Sequence, residues 1–444
     1  MADSGGRTVW RRRPRRRGTL RRASRARYFG AGLVSAALAS TALAACGSSG
    51  GGTGPVTLNF YSFNDPSGAV ATAVENCSKQ SGGKYTVTYN KLPAAADDQR
   101  LQMARRLAAA DPTMDILGLD VTWEAEFSEA GWILPWTGKY KQQAEAGTLR
   151  VPLETATWKG KLVAVPYNSN TQLLWYRDDL VKTPPKTWDE MISDAEQLAK
   201  QGKPHLIEIQ GAQYEGTTVW FNTLVASAGG SILTPDSSKA NPGQPWLTAL
   251  GTMKKLATSV AADPSLGVQM EDQNRLAMEA GTAAFELNYP FVYPSMKADN
   301  PEMFKHFKWA LYPGVMPGEP AHVTIGGIDI AISKYSPHPD LAFQAALCLR
   351  DKQNQLNAAV KGGLPPTLES LYHDPAMFPD YPFHADILTA LQQASVRPKT
   401  PAYQSVSIVI SHSVSPPAGI DPPATEQAMT GQINEALQSK LVIP

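Results

Sequence analysis

From Pro55 onward the chain switches repeatedly between residues that alternate with a period of two and residues spaced three or four apart, a pattern that restricts the fold more than any other feature. Val56-Thr57-Leu58-Asn59-Phe60-Tyr61 reads as a strand. A helix from about Ser67 follows and is stopped by Gly82-Gly83. Residues 85–89 alternate again, residues 98–110 carry helical spacing through Leu101, Ala104, Arg105 and Leu107, and residues 114–119 form a short apolar run of strand length. Such an order predicts α/β layers, with crossovers that favour a mainly parallel sheet. At 444 residues the chain exceeds one ordinary core, so two or three domains, in a two-lobed globule, are expected.

Residues 161–177 contain two strand-like runs separated by polar residues and Pro166, an arrangement in which one strand leaves the first lobe and the other enters the second. Helical patterns follow at residues 188–200, 215–228 and 250–261, then a strand at 283–287. Residues 323–333 read as a strand broken by Gly326-Gly327, and residues 340–349 as a helix. Prolines are dense between Asp374 and Pro423, which predicts helices separated by irregular loops. Nothing repeats internally.

The first 45 residues differ sharply from the rest. They hold eleven arginines against the single acid Asp3, followed by the uncharged stretch 28–45 and then Leu43-Ala44-Ala45-Cys46-Gly47. This is the pattern of a lipoprotein-type signal peptide, residues 1–45, with Cys46 as the acylated residue. A nucleic-acid-binding arm or a permanent membrane span are the alternatives; the small residues before Cys46 favour processing, and the stretch is too rich in Ala, Ser and Thr to make a good span. Either the general or the twin-arginine route would serve export. Residues 46–55 then form a Gly/Ser tether whose ends would lie roughly 15 to 20 Å apart. Without residues 1–45 the chain keeps 30 basic and 39 acidic residues, a balance that argues against nucleic acid as a partner. With Cys46 acylated, Cys77 and Cys348 remain, and in an oxidising compartment they suggest one disulfide, two buried free thiols being the alternative. No P-loop, GxSxG, HExxH or paired Cys/His spacing occurs, so neither a cofactor nor a metal is expected.

Several stretches resemble the extracellular solute-binding proteins of sugar ABC importers, and within them the LpqY-type trehalose-binding lipoproteins of actinobacteria. The most specific are Gln99-Arg100-Leu101-Gln102-Met103-Ala104-Arg105-Arg106-Leu107, Leu119-Asp120-Val121-Thr122-Trp123, Ala125-Glu126-Phe127-Ser128-Glu129-Ala130-Gly131-Trp132, Asn170-Thr171-Gln172-Leu173-Leu174-Trp175-Tyr176-Arg177, Val219-Trp220-Phe221-Asn222-Thr223-Leu224 and Val396-Arg397-Pro398. Glu279-Ala280-Gly281-Thr282-Ala283-Ala284-Phe285 is shared more widely and supports the receptor family without indicating the sugar. The resemblance implies a periplasmic-binding-protein-like type II fold, two α/β lobes joined by a multi-crossover hinge with a ligand cleft between them. Lobe I would comprise residues 56–168 plus 325–368, and lobe II residues 169–324 plus 369–444, with crossovers near 166–171, 324–328 and 365–373. Cys77 and Cys348 then share a lobe.

A neutral sugar needs carboxylates and amides for its hydroxyls and aromatic rings for its C–H faces. Asp120 ends a strand, where the carboxyl ends of open α/β sheets face ligand, and is equally suited to cap a helix. Asn170 lies in the first crossover and could instead form a turn; Glu271 lies four residues before Arg275 and could be solvated helix surface. The resemblance implies that Asp120, Asn170, Glu271 and Arg397 contact the sugar, and that Tyr289 sets its ring against it where the family carries tryptophan. A surface salt bridge is the alternative for Arg397, and a plain bulge for Gly326-Gly327, where Gly327 would let backbone amides approach the sugar. Asn64 and Asp65 follow the first strand and could reach the cleft, although this loop departs from the family by about one residue and Ser67 stands where an Asp is expected.

The expected function is a lipid-anchored, monomeric, non-enzymatic receptor on the extracellular face of the membrane. It would bind a disaccharide, trehalose favoured, and pass it to the transmembrane subunits of an ABC permease. The alternatives are a receptor for maltose or a glycerophosphodiester, and an exported glycosidase using Asp120 and Glu271 as its carboxyl pair.

Overall fold

The computed structural model describes residues 54–93 and 95–438; the expected signal peptide, Cys46 and most of the tether lie outside them. Among the described residues no helix is long and apolar enough to cross a membrane. Eleven strands occur among them: β1 (Val56–Ser62), β2 (Tyr85–Lys91), β3 (Ile116–Asp120), β4 (Thr157–Trp158), β5 (Lys161–Leu162), β6 (Val165–Asn170), β7 (Leu173–Arg177), β8 (Leu206–Glu208), β9 (Ala283–Asn288), β10 (Phe307–Ala310) and β11 (Gly326–Ile332). They form a five-stranded sheet in the order β2-β1-β3-β11-β6, a four-stranded sheet in the order β10-β7-β9-β8, and the small β4-β5 pair.

In the first sheet β1 runs parallel to β2 and β3, whereas β11 is antiparallel to β3 and β6. In the second, β8 and β9 are parallel while β7 is antiparallel to β9 and β10. The expectation of mainly parallel sheets is therefore corrected. A βαβ crossover returns a strand in its original direction, but β11 arrives from the other lobe and enters the first sheet at the end where β3 and β6 leave it.

The hinge is built from these crossings. Asn170 still pairs with Gly326 and Ser169 with Gly327, so the chain leaves the first sheet at Thr171-Gln172. On its return, Thr324 belongs to the second lobe. Its hydroxyl accepts a hydrogen bond from Asn222 Nδ2 at 2.8 Å, and its N–H donates to Thr223 Oγ1 at 3.1 Å. Residues 323–333 are thus not one strand interrupted by glycines: the run divides between lobes at Ile325, and Gly326-Gly327 begin β11. At the third passage Pro366 bridges Asn168, after which Leu371 and Tyr372 join an apolar cluster with Leu173 and Trp175.

The first lobe packs Leu58, Phe60, Ile116, Leu119, Ile330 and Phe343 into one core. The second sheet is covered on both faces, as the period of two dictates. Leu174 and Tyr176 pack with Trp188 and Trp220, while Leu173 and Trp175 pack with Phe307 and Phe383. Part of the stretch that carries the family resemblance is structural: Arg100, in the helix Ala96–Ala108, and Glu126, in the helix Glu124–Glu129, form a buried two-pronged ion pair with both bonds at 2.6 Å.

Cys77 and Cys348 are disulfide-bonded with 5.7 Å between their Cα atoms, joining the helices Ala69–Gln80 and Pro339–Leu349 across 271 residues of sequence. Closing so long a loop restricts the unfolded chain, so replacing both cysteines by alanine is expected to cost about 2 to 4 kcal/mol in denaturant unfolding. Gly327 has φ near 132°, and a Cβ there would lie 2.2 Å from the Asn168 carbonyl oxygen, which is backbone and cannot swing aside. Gly327→Ala is expected to destabilise the first lobe by about 2 kcal/mol or more, measured by the same unfolding.

Glu208 and Glu286 occupy paired positions on β8 and β9, and both are fully buried. Glu208 accepts from Gln269 Nε2 at 2.8 Å and Glu286 from Asn288 Nδ2 at 2.7 Å. Burial pushes each carboxyl up to about 8. The folded protein therefore keeps protons that the unfolded chain releases near pH 4.5, and stability should fall as pH rises from about 4.5 to 8. Thermal melts at pH 5.5 and 8.5 should show a smaller loss for Glu286→Gln than for the wild type.

Candidate ligand-binding site

Because β11 enters where β3 and β6 end, three of the predicted residues share one edge of the first sheet. Asp120 pairs with Ile328, Ser169 with Gly327, and Asn170 with Gly326. Asp120 Oδ1 accepts from Thr122 N at 3.1 Å and Thr122 Oγ1 at 2.8 Å, a local turn; the next helix begins only at Glu124, with Trp123 at its N-terminal cap, so Asp120 does not cap it. The same oxygen accepts from Arg397 Nη2 at 3.2 Å, so the carboxylate serves the turn and faces the second lobe together. Asn170 Oδ1 and Thr171 Oγ1 are buried without a protein partner, and such acceptors are costly unless something satisfies them.

The opposing wall comes from the second lobe. Glu271 opens the helix Glu271–Glu279, and Asn288 holds it by donating from Nδ2 to its carbonyl at 2.9 Å. Asn288 Oδ1 also accepts from Tyr289 N at 2.8 Å, so the last residue of β9 positions two candidate residues. Tyr289 is partly exposed, and burial followed by the charge of Glu271 pushes its phenol above its ordinary range, with Arg397, Asp120 and Glu215 also close enough to act on it. Burial also raises the Glu271 carboxyl, against the lowering effect of the Tyr214 hydroxyl facing it. Glu271 is thus not the solvated helix surface that pattern alone allowed.

Arg397 is 4% exposed, which removes the surface salt bridge as its reading. Its Nη1 donates to Glu215 at 2.6 Å while Nη2 reaches Asp120 in the other lobe. Asp120, Glu271, Tyr289 and Arg397 thus form one electrostatic group, with Asn170 and Gly327 on the sheet edge beside Asp120.

Sequence reasoning missed Glu215, Tyr403 and Ser407. Glu215 begins the helix Glu215–Ser227 and accepts hydrogen bonds from the Tyr403 and Ser407 hydroxyls as well as Arg397. No local pattern announces it, because its partners lie more than 180 residues away. Glu124 and Asp329 were also missed. Burial, then the charge of Asp329, raises Glu124 well above the usual carboxylate range, and burial pushes Asp329 to about 7. The pair lies behind Asp120, whose charge raises both.

The loop after β1 requires a correction. Asp65 is buried, with Oδ1 accepting from Ser67 N at 2.9 Å and Ser67 Oγ at 2.6 Å, and Oδ2 from Val70 N at 2.8 Å. Its carboxylate closes the first turn of the helix Ala69–Gln80 and is committed there. Asn64 is exposed beside it.

Further contacts hold the lobes together. Lys399 Nζ donates to the Glu154 carbonyl at 2.6 Å and also to that of Thr157, and Gln404 Nε2 donates to Asp97 Oδ1 at 2.9 Å. Gly363, with φ near 66°, ends the helix Lys352–Gly362 so close to Pro290 that a Cβ would lie 2.7 Å from its carbonyl oxygen. Away from this group, a hollow of about 620 Å³ between residues 262–268 and 415–418 mixes proline, alanine and Leu266 with Ser259, Asp263, Ser265 and Ser415 and contains no aromatic ring. Asp178, Asp179 and His306 have metal-ligand spacing among the described residues, but they lie at the surface, with Asp179 paired to Arg177 at 2.6 Å.

The description "bacterial extracellular solute-binding protein" matches residues 71–355. The chain is 28% identical over 352 residues to a probable ABC transporter-binding protein of Deinococcus radiodurans, covering 76% of this chain and 82% of that one. Maltose-bound MalE3 of T. maritima superposes with a TM-score of 0.77 at 26% identity, over 86% of this chain and 99% of that chain. The GacH receptor of Streptomyces glaucescens superposes with a TM-score of 0.75 at 19% identity, over 87% and 99% respectively. The two α/β lobes and their crossings are the type II arrangement of periplasmic binding proteins, and the chain belongs to the bacterial extracellular solute-binding protein family, whose members bind solutes for ABC transporters and are not enzymes.

Proposed function

We propose that this protein is the substrate-binding lipoprotein of a carbohydrate ABC importer, holding a disaccharide, trehalose in first place, between its lobes and delivering it to the transmembrane permease subunits. The observation that carries this reading is the convergence of Asp120 from the first lobe with Glu271, Tyr289 and Arg397 from the second. Carboxylates and an amide match hydroxyl edges, the phenol ring matches a C–H face, and one guanidinium can donate to two oxygens. The maltose held by the T. maritima relative supports a sugar ligand. A phosphate-bearing solute fits less well, because the Arg397 charge is already opposed by Asp120 and Glu215.

The lobe boundaries, the Cys46 anchor, the extracellular tether and the monomeric state belong to the same proposal. Micromolar affinity needs about 8 kcal/mol, more than three hydrogen bonds at about 1 kcal/mol each supply, so closure of the lobes around the sugar is part of the reading. Closure shifts the population toward a form whose combined surface the permease recognises.

In a thermal-shift panel of trehalose, maltose, sucrose and glycerophosphocholine on residues 47–444, trehalose is expected to give the largest stabilisation. A larger shift with maltose or the phosphodiester moves the assignment to that ligand, and release of monosaccharide sinks the receptor reading. Asp120→Ala and Arg397→Ala are each expected to weaken trehalose binding at least tenfold, about 1.4 kcal/mol, in calorimetry, with circular dichroism unchanged. An unaltered radius of gyration at saturating sugar would contradict closure.

A further inference from the structure

Arg397 does not hold itself. A guanidinium with two prongs aimed at different lobes needs one prong fixed, and the fixed one is Nη1, at 2.6 Å from Glu215, while Nη2 stands 3.2 Å from Asp120. The shorter bond anchors the arginine to its own lobe and leaves the longer prong directed at the sheet edge where Asp120 ends β3. Glu215 is itself fixed from three sides. Its backbone opens the helix Glu215–Ser227, the Tyr403 hydroxyl donates to Oε1, and the Ser407 hydroxyl donates to Oε2. Tyr403 and Ser407 lie four apart in the helix Tyr403–Val414 and thus on one face, so that helix presents both donors together. Ser407 is fixed in turn by Thr218, whose hydroxyl donates to the Ser407 carbonyl at 3.1 Å.

We infer that Glu215 is a positioning residue for ligand binding: seated on Tyr403 and Ser407, it aims Arg397 across the cleft so that one prong is available to ligand oxygen. The inference rests on the carbohydrate reading above and adds to it a residue that touches Arg397. Removing the Glu215 charge frees Nη1, lets the guanidinium turn wholly toward Asp120, and neutralises the carboxylate that a sugar hydroxyl needs. The effect on binding then passes through Arg397, so the two substitutions should not add.

The acid limb of binding supplies a second signature. Burial raises the Glu215 carboxyl, while Arg397, Ser407 and Tyr403 oppose the rise. The charged and titratable groups that act on it are Arg397, Asp120 and Tyr403, with Tyr214 and Tyr289 beyond them. Protonation of Glu215 as the pH falls releases Arg397 and weakens binding, and Glu215→Gln lacks that limb.

The test is calorimetry of the chain from residue 47 onward with trehalose as the probe. Glu215→Gln is expected to weaken binding at least fivefold at pH 7.5 and to flatten the part of the affinity loss on acidification that passes through Glu215. Combined with Arg397→Ala, it is expected to add less than twofold to the loss from Arg397→Ala alone. Tyr403→Phe and Ser407→Ala remove one donor each and should reproduce a smaller part of the effect; they carry the test if Glu215→Gln fails to fold. Wild-type affinity and an unchanged pH profile in the variants, or losses that simply multiply, overturn the inference while the sugar reading stands. A wild-type protein that retains none of trehalose, maltose and sucrose overturns the disaccharide reading and this inference with it.

Discussion

A guanidinium removed from water is stable only where opposite charge and hydrogen-bond acceptors surround it, and Arg397, 4% exposed, finds them in two places at once. Glu215 in its own lobe and Asp120 in the other divide the positive charge between them. The geometry of the cleft follows. Arg397 can keep both partners only if the carboxyl end of β3 faces the start of the helix Glu215–Ser227, which requires the lobes to approach as they do here. Lys399 and Gln404, close behind in the same segment, make their own bonds to the first lobe, so residues 397–404 form the main seam on this side.

The seam operates because the backbone crosses between lobes in several places. The three passages, at Thr171-Gln172, at Ile325 and after Pro366, tie the two sheets together through the backbone itself. Glycine is needed where strands and lobes come closest: Gly327 lies against the Asn168 carbonyl, and Gly363 against that of Pro290, next to Tyr289. A hinge with an Arg–carboxylate contact across it suits a protein that must grip and then release. In the proposed site, a sugar hydroxyl entering between Arg397 and Asp120 would exchange one charge-assisted bond for others at small net cost.

Much of the architecture was legible because burial leaves a periodic trace. The period of two in Leu58 and Phe60, and the helical spacing of Leu101, Ala104 and Leu107, located strand and helix without any partner being known. Strand direction was not legible. The antiparallel entry of β11 depends on where the chain returns from, which no local pattern records. The same distinction explains the site residues. Asp120 could be proposed from its place at a strand end, whereas Asp65 looks equally suitable in sequence and proved to be committed to the first turn of the next helix.

The sequence by itself determined the alternation of strands and helices, the acidic balance beyond residue 45, the pair of cysteines available for a bond and the residue types suited to hydroxyl groups. These properties belong to single residues or to neighbours within a few positions, where periodicity and chemistry can be read directly. Only the tertiary structure decided that Glu215, Tyr403 and Ser407 stand behind Arg397, that Glu124 and Asp329 lie together beneath Asp120, and that Asp65 faces inward. Each of those outcomes depends on contacts between distant segments or on the direction of one side chain, and both are set by how the lobes pack.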